Sequence, residues 1–386
     1  MNSTMFSKIA GLVIVMSLVL SQVFVSSNAT AAPPSPTPTV APSSPTPEEG
    51  DVMVRMLNPK AIPEGWQVPK TVGHVVNYLM HEWYQNLTKG EQERAAEWGI
   101  EFSINDANLD LQRSLAAVDD YLAKDVDVLV FTPVNQEASV PTVKKAMSTN
   151  TPVILESSYL EGATTLVAID DYALGFEVGQ WAGKYVQENF GGQARILDIG
   201  LPALSPCVDR SNGFVDGVKS ILPDAQLVQS VDGKGLKDEA VKVAADALTA
   251  HPDINVIFGC NDDSALGGLQ AFQAAGLDTS QLLVAGFGCE GKACKSALEE
   301  GGPYKVSGGM FPEYQGRLII DVAVAAFNGI PLPQHVVAPS TALTKDNLSN
   351  FYTKEGDEWI PNYEAISMLS PVLQKYIEGQ SQEQSE

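Results

Sequence analysis

The stretch Ile254-Asn-Val-Ile-Phe-Gly-Cys-Asn-Asp-Asp-Ser-Ala-Leu-Gly267 decides the fold. Val256 to Gly259 read as a buried strand, Cys260 to Asp263 as a short polar turn, and a helix is expected to start near Ser264. In an open α/β sheet ligands bind at the carboxyl ends of the strands, so Asn261 stands where a side chain can read something small.

The same unit recurs on both sides of this stretch. Apolar runs at 71–77, 99–104, 126–132, 152–157 and 164–169, then at 194–200, 226–231, 254–259, 282–287 and 304–309, predict strands. Helical spacing fills the gaps, as in Leu111, Leu115, Val118 and Leu122. This alternation predicts βαβ units, with mainly parallel sheets covered by helices on both faces. Ten strands exceed an ordinary sheet, so two sheets of about five are expected, dividing near Ala168-Ile-Asp-Asp-Tyr172.

A chain of 386 residues has room for two domains, each with its own core. Asp and Glu outnumber Lys and Arg 47 to 24, giving a net charge of −23 that repels phosphates and argues against a nucleic-acid partner. Lys8 is the single charge ahead of an apolar run from Ile9 to Leu20, which continues to Val25 and ends at Ala29-Thr30-Ala31. That order predicts a signal peptide over 1–31 and export to the periplasm or the outer face of the cytoplasmic membrane. An uncleaved anchor is the alternative, and with no Cys beside the cleavage site a lipoprotein is not expected. Residues 32–69 form a Pro-, Ser- and Thr-rich spacer and lead-in, and 371–386 a polar tail.

Export implies an oxidising compartment, where four cysteines read as two disulfides. Cys289 and Cys294 flank a short turn. Cys207 and Cys260 each lie just past a predicted strand end and are expected to bond to one another. Free thiols are the alternative; the spacing does not suit zinc, and no metal is expected.

Catalysis is not expected. There is no G-x-S-x-G elbow, and His74, His81, His251 and His335 have no nucleophile or acid in a recognisable motif. Gly233-Lys-Gly-Leu-Lys-Asp238 lacks the third glycine of a dinucleotide fingerprint, so no cofactor is expected. The pairs Asp170-Asp171 and Asp262-Asp263 read as helix N-caps. What remains at the strand ends suits polyol recognition. Asn77-Tyr-Leu-Met-His81-Glu-Trp83-Tyr84 offers flat aromatic faces for the C–H surface of a sugar ring beside groups that bond hydroxyls. Arg210 offers a fixed fork of donors.

From about Thr71 to Thr341 the chain resembles the type I periplasmic sugar-binding proteins, the ribose-binding group that serves ABC transporters. The residues that carry the resemblance are Trp83-Tyr84, Phe131-Thr-Pro-Val-Asn135, Pro152-Val-Ile-Leu-Glu-Ser157-Ser158 and Asp170-Asp-Tyr-Ala-Leu-Gly175. They continue through Arg210-Ser-Asn-Gly-Phe214, Asn261-Asp-Asp-Ser-Ala-Leu-Gly267 and Ala285-Gly-Phe-Gly288. The resemblance implies two Rossmann-like lobes joined by three crossovers near Ile169, Met310 and Ser340. One lobe would comprise 70–169 and 311–340, the other 170–310 and 341–370. It also implies a monomer that captures a sugar or polyol between the lobes and delivers it to a permease; a sensory module for a membrane receptor and an extracellular enzyme are the alternatives. Asn77, His81, Trp83, Tyr84, Thr132 and Ser157 would line the first lobe, Arg210 and Asn261 the second, with Met310 at a crossing. Ser157-Ser158 stand where the family usually has Asp-Arg, Gly288 where it has Asp, and Met310 where it has Gln. These departures argue against ribose and for a larger ligand, one with fewer hydroxyls, or one held partly through His81.

Overall fold

The computed structural model of the protein describes residues 62–370, so the expected signal peptide, most of the spacer and the polar tail lie outside the described residues. Ten strands fall where the apolar runs place them: β1 (Thr71–Val76), β2 (Glu101–Asp106), β3 (Val128–Phe131), β4 (Val153–Glu156), β5 (Thr165–Ala168), β6 (Arg195–Gly200), β7 (Gln226–Asp232), β8 (Val256–Gly259), β9 (Leu283–Gly288) and β10 (Tyr304–Gly309). Most of the strand residues are buried, as sheets sandwiched between helices require.

Each sheet has six strands because two short segments that carry no clear pattern join them. β11 (His335–Val337) pairs parallel with β5 and completes the order β11-β5-β4-β3-β1-β2. β12 (Thr341–Thr344) runs antiparallel to β10 and completes the order β12-β10-β9-β8-β6-β7. The chain therefore passes between sheets after β5, after β10 and between β11 and β12. At the second passage Phe311 is left-handed, with φ 50°, and is held there by burial against Phe351 and Tyr352. A β13–β14 hairpin (Tyr352–Glu355, Glu358–Pro361) follows.

Helices alternate with the strands: α1 (Glu82–Trp98), α2 (Leu111–Ala123), α3 (Gln136–Ser148), α4 (Asp171–Asn189), α5 (Ser205–Ile221), α6 (Lys237–Ala250), α7 (Asp262–Ala274), α8 (Lys292–Glu300) and α9 (Pro312–Phe327). Small residues let two pairs touch backbone to backbone. Gly90 of α1 packs on the Glu313 carbonyl of α9, and Gly316 of α9 on the Leu87 carbonyl. In the other lobe Gly175 and Gly179 of α4 lie against the Arg210 and Phe214 carbonyls of α5, while Gly213 and Gly217 of α5 lie against the Tyr172 and Phe176 carbonyls of α4. This seam brings the N-terminal halves of α4 and α5 together at one end of the second sheet, the end where a ligand is expected.

Candidate functional site

The carboxyl ends of the two sheets face each other, and the lobes meet there. Asn86 of α1 donates to the Glu290 carbonyl at 2.9 Å, and a Cβ on Gly291 would run into the Glu82 carboxylate.

On the second lobe the centre is Arg210. Its Nε donates to Asp171 at 2.7 Å, its Nη1 to the Cys260 carbonyl at 3.2 Å, and its guanidinium lies 4.5 Å over the Phe287 ring. Burial opposes the charge, and Asp171 together with the neighbouring thiols more than offsets it, so the guanidinium pKa lies above its usual range. Asp171 is thus the partner of Arg210, while Asp170 alone caps α4 by accepting from Ala173 N–H.

Asn261 is spent locally. Its Oδ1 accepts from Ser264 N–H at 2.9 Å, capping α7, and its Nδ2 donates to the Gly235 carbonyl at 3.0 Å. That cap starts the helix at Asp262, two residues before the expected Ser264. Asp262 is therefore not the cap; it lies buried, accepting from Cys289 N–H, Ser307 and Tyr304. Its carboxyl is pushed up to about 8, first by burial and then by Glu290.

Glu290 is the site residue that the sequence reading missed. Gly288 has φ 116° and Cys289 φ 48°, a backbone course that turns the Glu290 carboxylate back over Gly288, into the space a Cβ there would fill. The disulfide Cys289–Cys294 closes this loop, and the buried Lys295 ammonium donates to the Glu290 carbonyl at 2.9 Å. A carboxylate thus returns to the position where Gly288 had left none. Burial pushes its carboxyl up to about 7, and Oε2 has no hydrogen-bond partner. No local pattern marks it, because Glu290 lies two residues past Gly288 and only the positive φ at Gly288 and Cys289 brings its carboxylate back.

The other expected disulfide is corrected: Cys207 and Cys260 are both buried and both free thiols.

On the first lobe His81 caps α1 through Nδ1, which accepts from Trp83 N–H at 3.1 Å, and its ring meets Tyr84 edge-on. Burial lowers the imidazole pKa. Tyr84 is pushed well above its usual pKa, first by burial and then by Glu156, while its bond to Asn77 works the other way; Asn77 Oδ1 is buried without a partner. Beneath this wall runs a buried chain. Trp83 Nε1 donates to Glu156 at 3.2 Å, Thr132 donates to Glu156 at 3.0 Å, and His74 links Thr132 at 3.0 Å to Glu91 at 2.9 Å. Thr132 therefore holds up the wall rather than facing the cleft, and burial pushes the Glu156 carboxyl up to about 7. Ser157 follows β4 with φ 72°, and Met310 is buried at the second passage, its N–H donating to the Gly288 carbonyl at 3.1 Å.

A separate crevice of about 290 Å³ lies between α4 and β12, where Glu177 already accepts from Thr341 and Ala342.

Among the described residues, Asp262, Cys289 and Cys294 could by position alone gather round a metal ion. The sulfurs are bonded to each other and the carboxylate already accepts three donors, so the set does not fit one. No helix among the described residues is long and apolar enough to cross a membrane.

Comparison with known proteins agrees with the geometry. The ribose import binding protein of Bacillus subtilis is 28% identical over 274 residues, covering 70% of this chain and 85% of that protein. The corresponding Escherichia coli protein is 30% identical over 219 residues, covering 56% and 72%. An ABC transporter solute binding protein from Mycobacterium smegmatis, solved with bound glycerol, superposes with a TM-score of 0.67 at 25% identity, covering 75% of this chain and 98% of that one. The family model described as periplasmic binding protein domain matches residues 72–331, and the chain belongs to that family.

Proposed function

We propose that the chain is an exported solute-binding protein that closes its lobes on a sugar or polyol and delivers it to an ABC-transporter permease. The observation that carries this reading is a pair of buried acceptors at the cleft, Asn77 Oδ1 on one lobe and Glu290 Oε2 on the other, neither with a protein partner. A buried acceptor left unbonded costs about 1–3 kcal/mol, which the hydroxyls of a polyol relieve as donors. Arg210 supplies donors for the ligand's own oxygens, and Trp83 and Tyr84 an aromatic wall. The relatives' names, ribose import and solute binding, support the same ligand class. Binding rather than turnover is the activity assigned. The protein acts as a monomer, released by cleavage before Ala32 and carrying no lipid.

The reading is tested by thermal shift of residues 32–386 against D-ribose, D-allose, myo-inositol, glycerol and related polyols. At least one member is expected to raise the melting temperature of the protein, and the shift is expected to vanish in Arg210→Ala. No shift from any member, together with an unchanged response in the variant, removes the assignment.

A further inference from the structure

We propose, resting on the cleft reading above, that the ligand is an amino sugar or amino polyol whose ammonium group pairs with Glu290. Glu290 is 9% exposed, and its Oε2 has no hydrogen-bond partner. The carboxylate is aimed by the backbone: the left-handed course through Gly288 and Cys289 lays Oε2 over Gly288, at the carboxyl end of β9.

Four charged groups surround this turn, one from each helix that packs on it. Asp262 of α7 accepts from Cys289 N–H at 2.6 Å, and the Glu82 carboxylate of α1 stands where a Cβ on Gly291 would. Lys295 of α8 donates to the Glu290 carbonyl at 2.9 Å, and the Arg210 guanidinium of α5 lies 4.5 Å over the Phe287 ring. Both cations are committed elsewhere. Arg210 is paired with Asp171 at 2.7 Å, and Lys295 lies between that backbone carbonyl and the Tyr352 ring, 4.2 Å away. With Asp171 included, carboxyls outnumber cations around the turn, and the Glu290 carboxylate is left without a cation bonded to it.

A buried carboxylate needs hydrogen-bond donors and a balancing charge. The hydroxyl of a neutral sugar brings only the first. An ammonium brings both, with three donors. On the facing lobe the other unpartnered atom, Asn77 Oδ1, is again an acceptor, and the Trp83–Tyr84 wall is the kind of surface that attracts a cation. The same balance works against a carboxylate or phosphate on the ligand. Burial holds a proton on Glu290 up to about pH 7. An ammonium takes over the charge of that proton, so an amine drives it to the buffer as it binds, while a neutral sugar leaves it in place.

Calorimetric titration of the protein compares D-glucosamine, D-galactosamine and D-glucamine with their hydroxyl parents D-glucose, D-galactose and D-glucitol. Titrations run at about pH 6.5, just below the Glu290 value, in buffers of different ionisation enthalpy. At least one amine is expected to bind at least roughly tenfold more tightly than its parent and to release protons as it binds. Glu290→Gln, which keeps the shape of the side chain without its charge, is expected to abolish both the preference and the release. The wild-type comparison carries the test if that variant does not fold. Parents that bind as tightly as their amines, amine binding without proton release, or a preference that survives in Glu290→Gln overturns the pairing and leaves the cleft reading standing. Failure of every amine while a neutral sugar of the thermal-shift panel binds does the same. Failure of every sugar, amino and neutral, overturns both.

Discussion

At the scale of single residues, the proposed cleft separates side chains available to a ligand from those that hold other side chains in place. Arg210 is a largely covered cation with an anion partner, so Arg210→Ala is expected to weaken binding by at least roughly 30-fold, about 2 kcal/mol, with much of the loss coming from the stranded Asp171. Arg210→Lys is not expected to rescue, because an ammonium cannot serve Asp171 and the Cys260 carbonyl with one planar fork. Calorimetric titration checks both. Asn261→Ala is expected to act differently: with both ends of the amide engaged in the fold, it costs about 1 kcal/mol of stability in denaturant unfolding. Arg210, Trp83 and Tyr84 were legible as residue types at strand ends. Glu290 was not, because its register is offset by two residues and only the left-handed turn at Gly288 and Cys289 returns the carboxylate to the cleft. Thr132 was legible as a strand-end residue, but its role depends on His74 and Glu91, and that network joins positions far apart in the chain.

At the scale of elements, the glycine seam between α4 and α5 mounts Arg210. A Cβ at Gly179 would run into the Phe214 carbonyl, so Gly179→Ala is expected to destabilise by about 1–3 kcal/mol and to weaken ligand binding by tilting α5. Gly302→Ala, where a Cβ meets nothing within 4 Å, is the neutral control in the same melting and titration series. The ten main strands were legible because each is a short apolar run with turn residues at its ends, and that is a local property. β11 and β12 were not. They are three and four residues long, and what makes them strands is an edge supplied by β5 and β10, each more than thirty positions earlier by residue number. The early start of α7 has the same kind of cause, a single Asn side chain that caps where periodicity alone begins later.

At the scale of the whole molecule, the cleft collects buried carboxyls whose protons are held to unusually high pH: Glu156 and Glu290 to about 7, and Asp262 to about 8. Each is raised above its ordinary value near 4, so between that value and 7 to 8 the folded protein binds more protons than the unfolded chain. Stability is therefore expected to fall as pH rises through this window, with a higher melting temperature at about pH 5 than at about pH 8 in scanning calorimetry. Glu156→Gln is expected to flatten part of that slope, since glutamine keeps an acceptor for Thr132 without the ionisation. The two-sheet, mainly parallel architecture was legible from alternation alone, whereas the way the two lobes meet depends on contacts such as Asn86 with Glu290, which no local pattern carries. The indole of Trp83, bonded to Glu156 behind the proposed cleft, is a natural optical probe of this region. The other four tryptophans stand elsewhere: Trp66 in the lead-in, Trp98 under Arg94, Trp181 stacked on Tyr185 and Trp359 beside Lys354 in the β13–β14 hairpin. Intrinsic emission is therefore expected to shift as ligand fills the cleft and to stop shifting in Trp83→Phe, so that one ring reports occupancy without any attached dye.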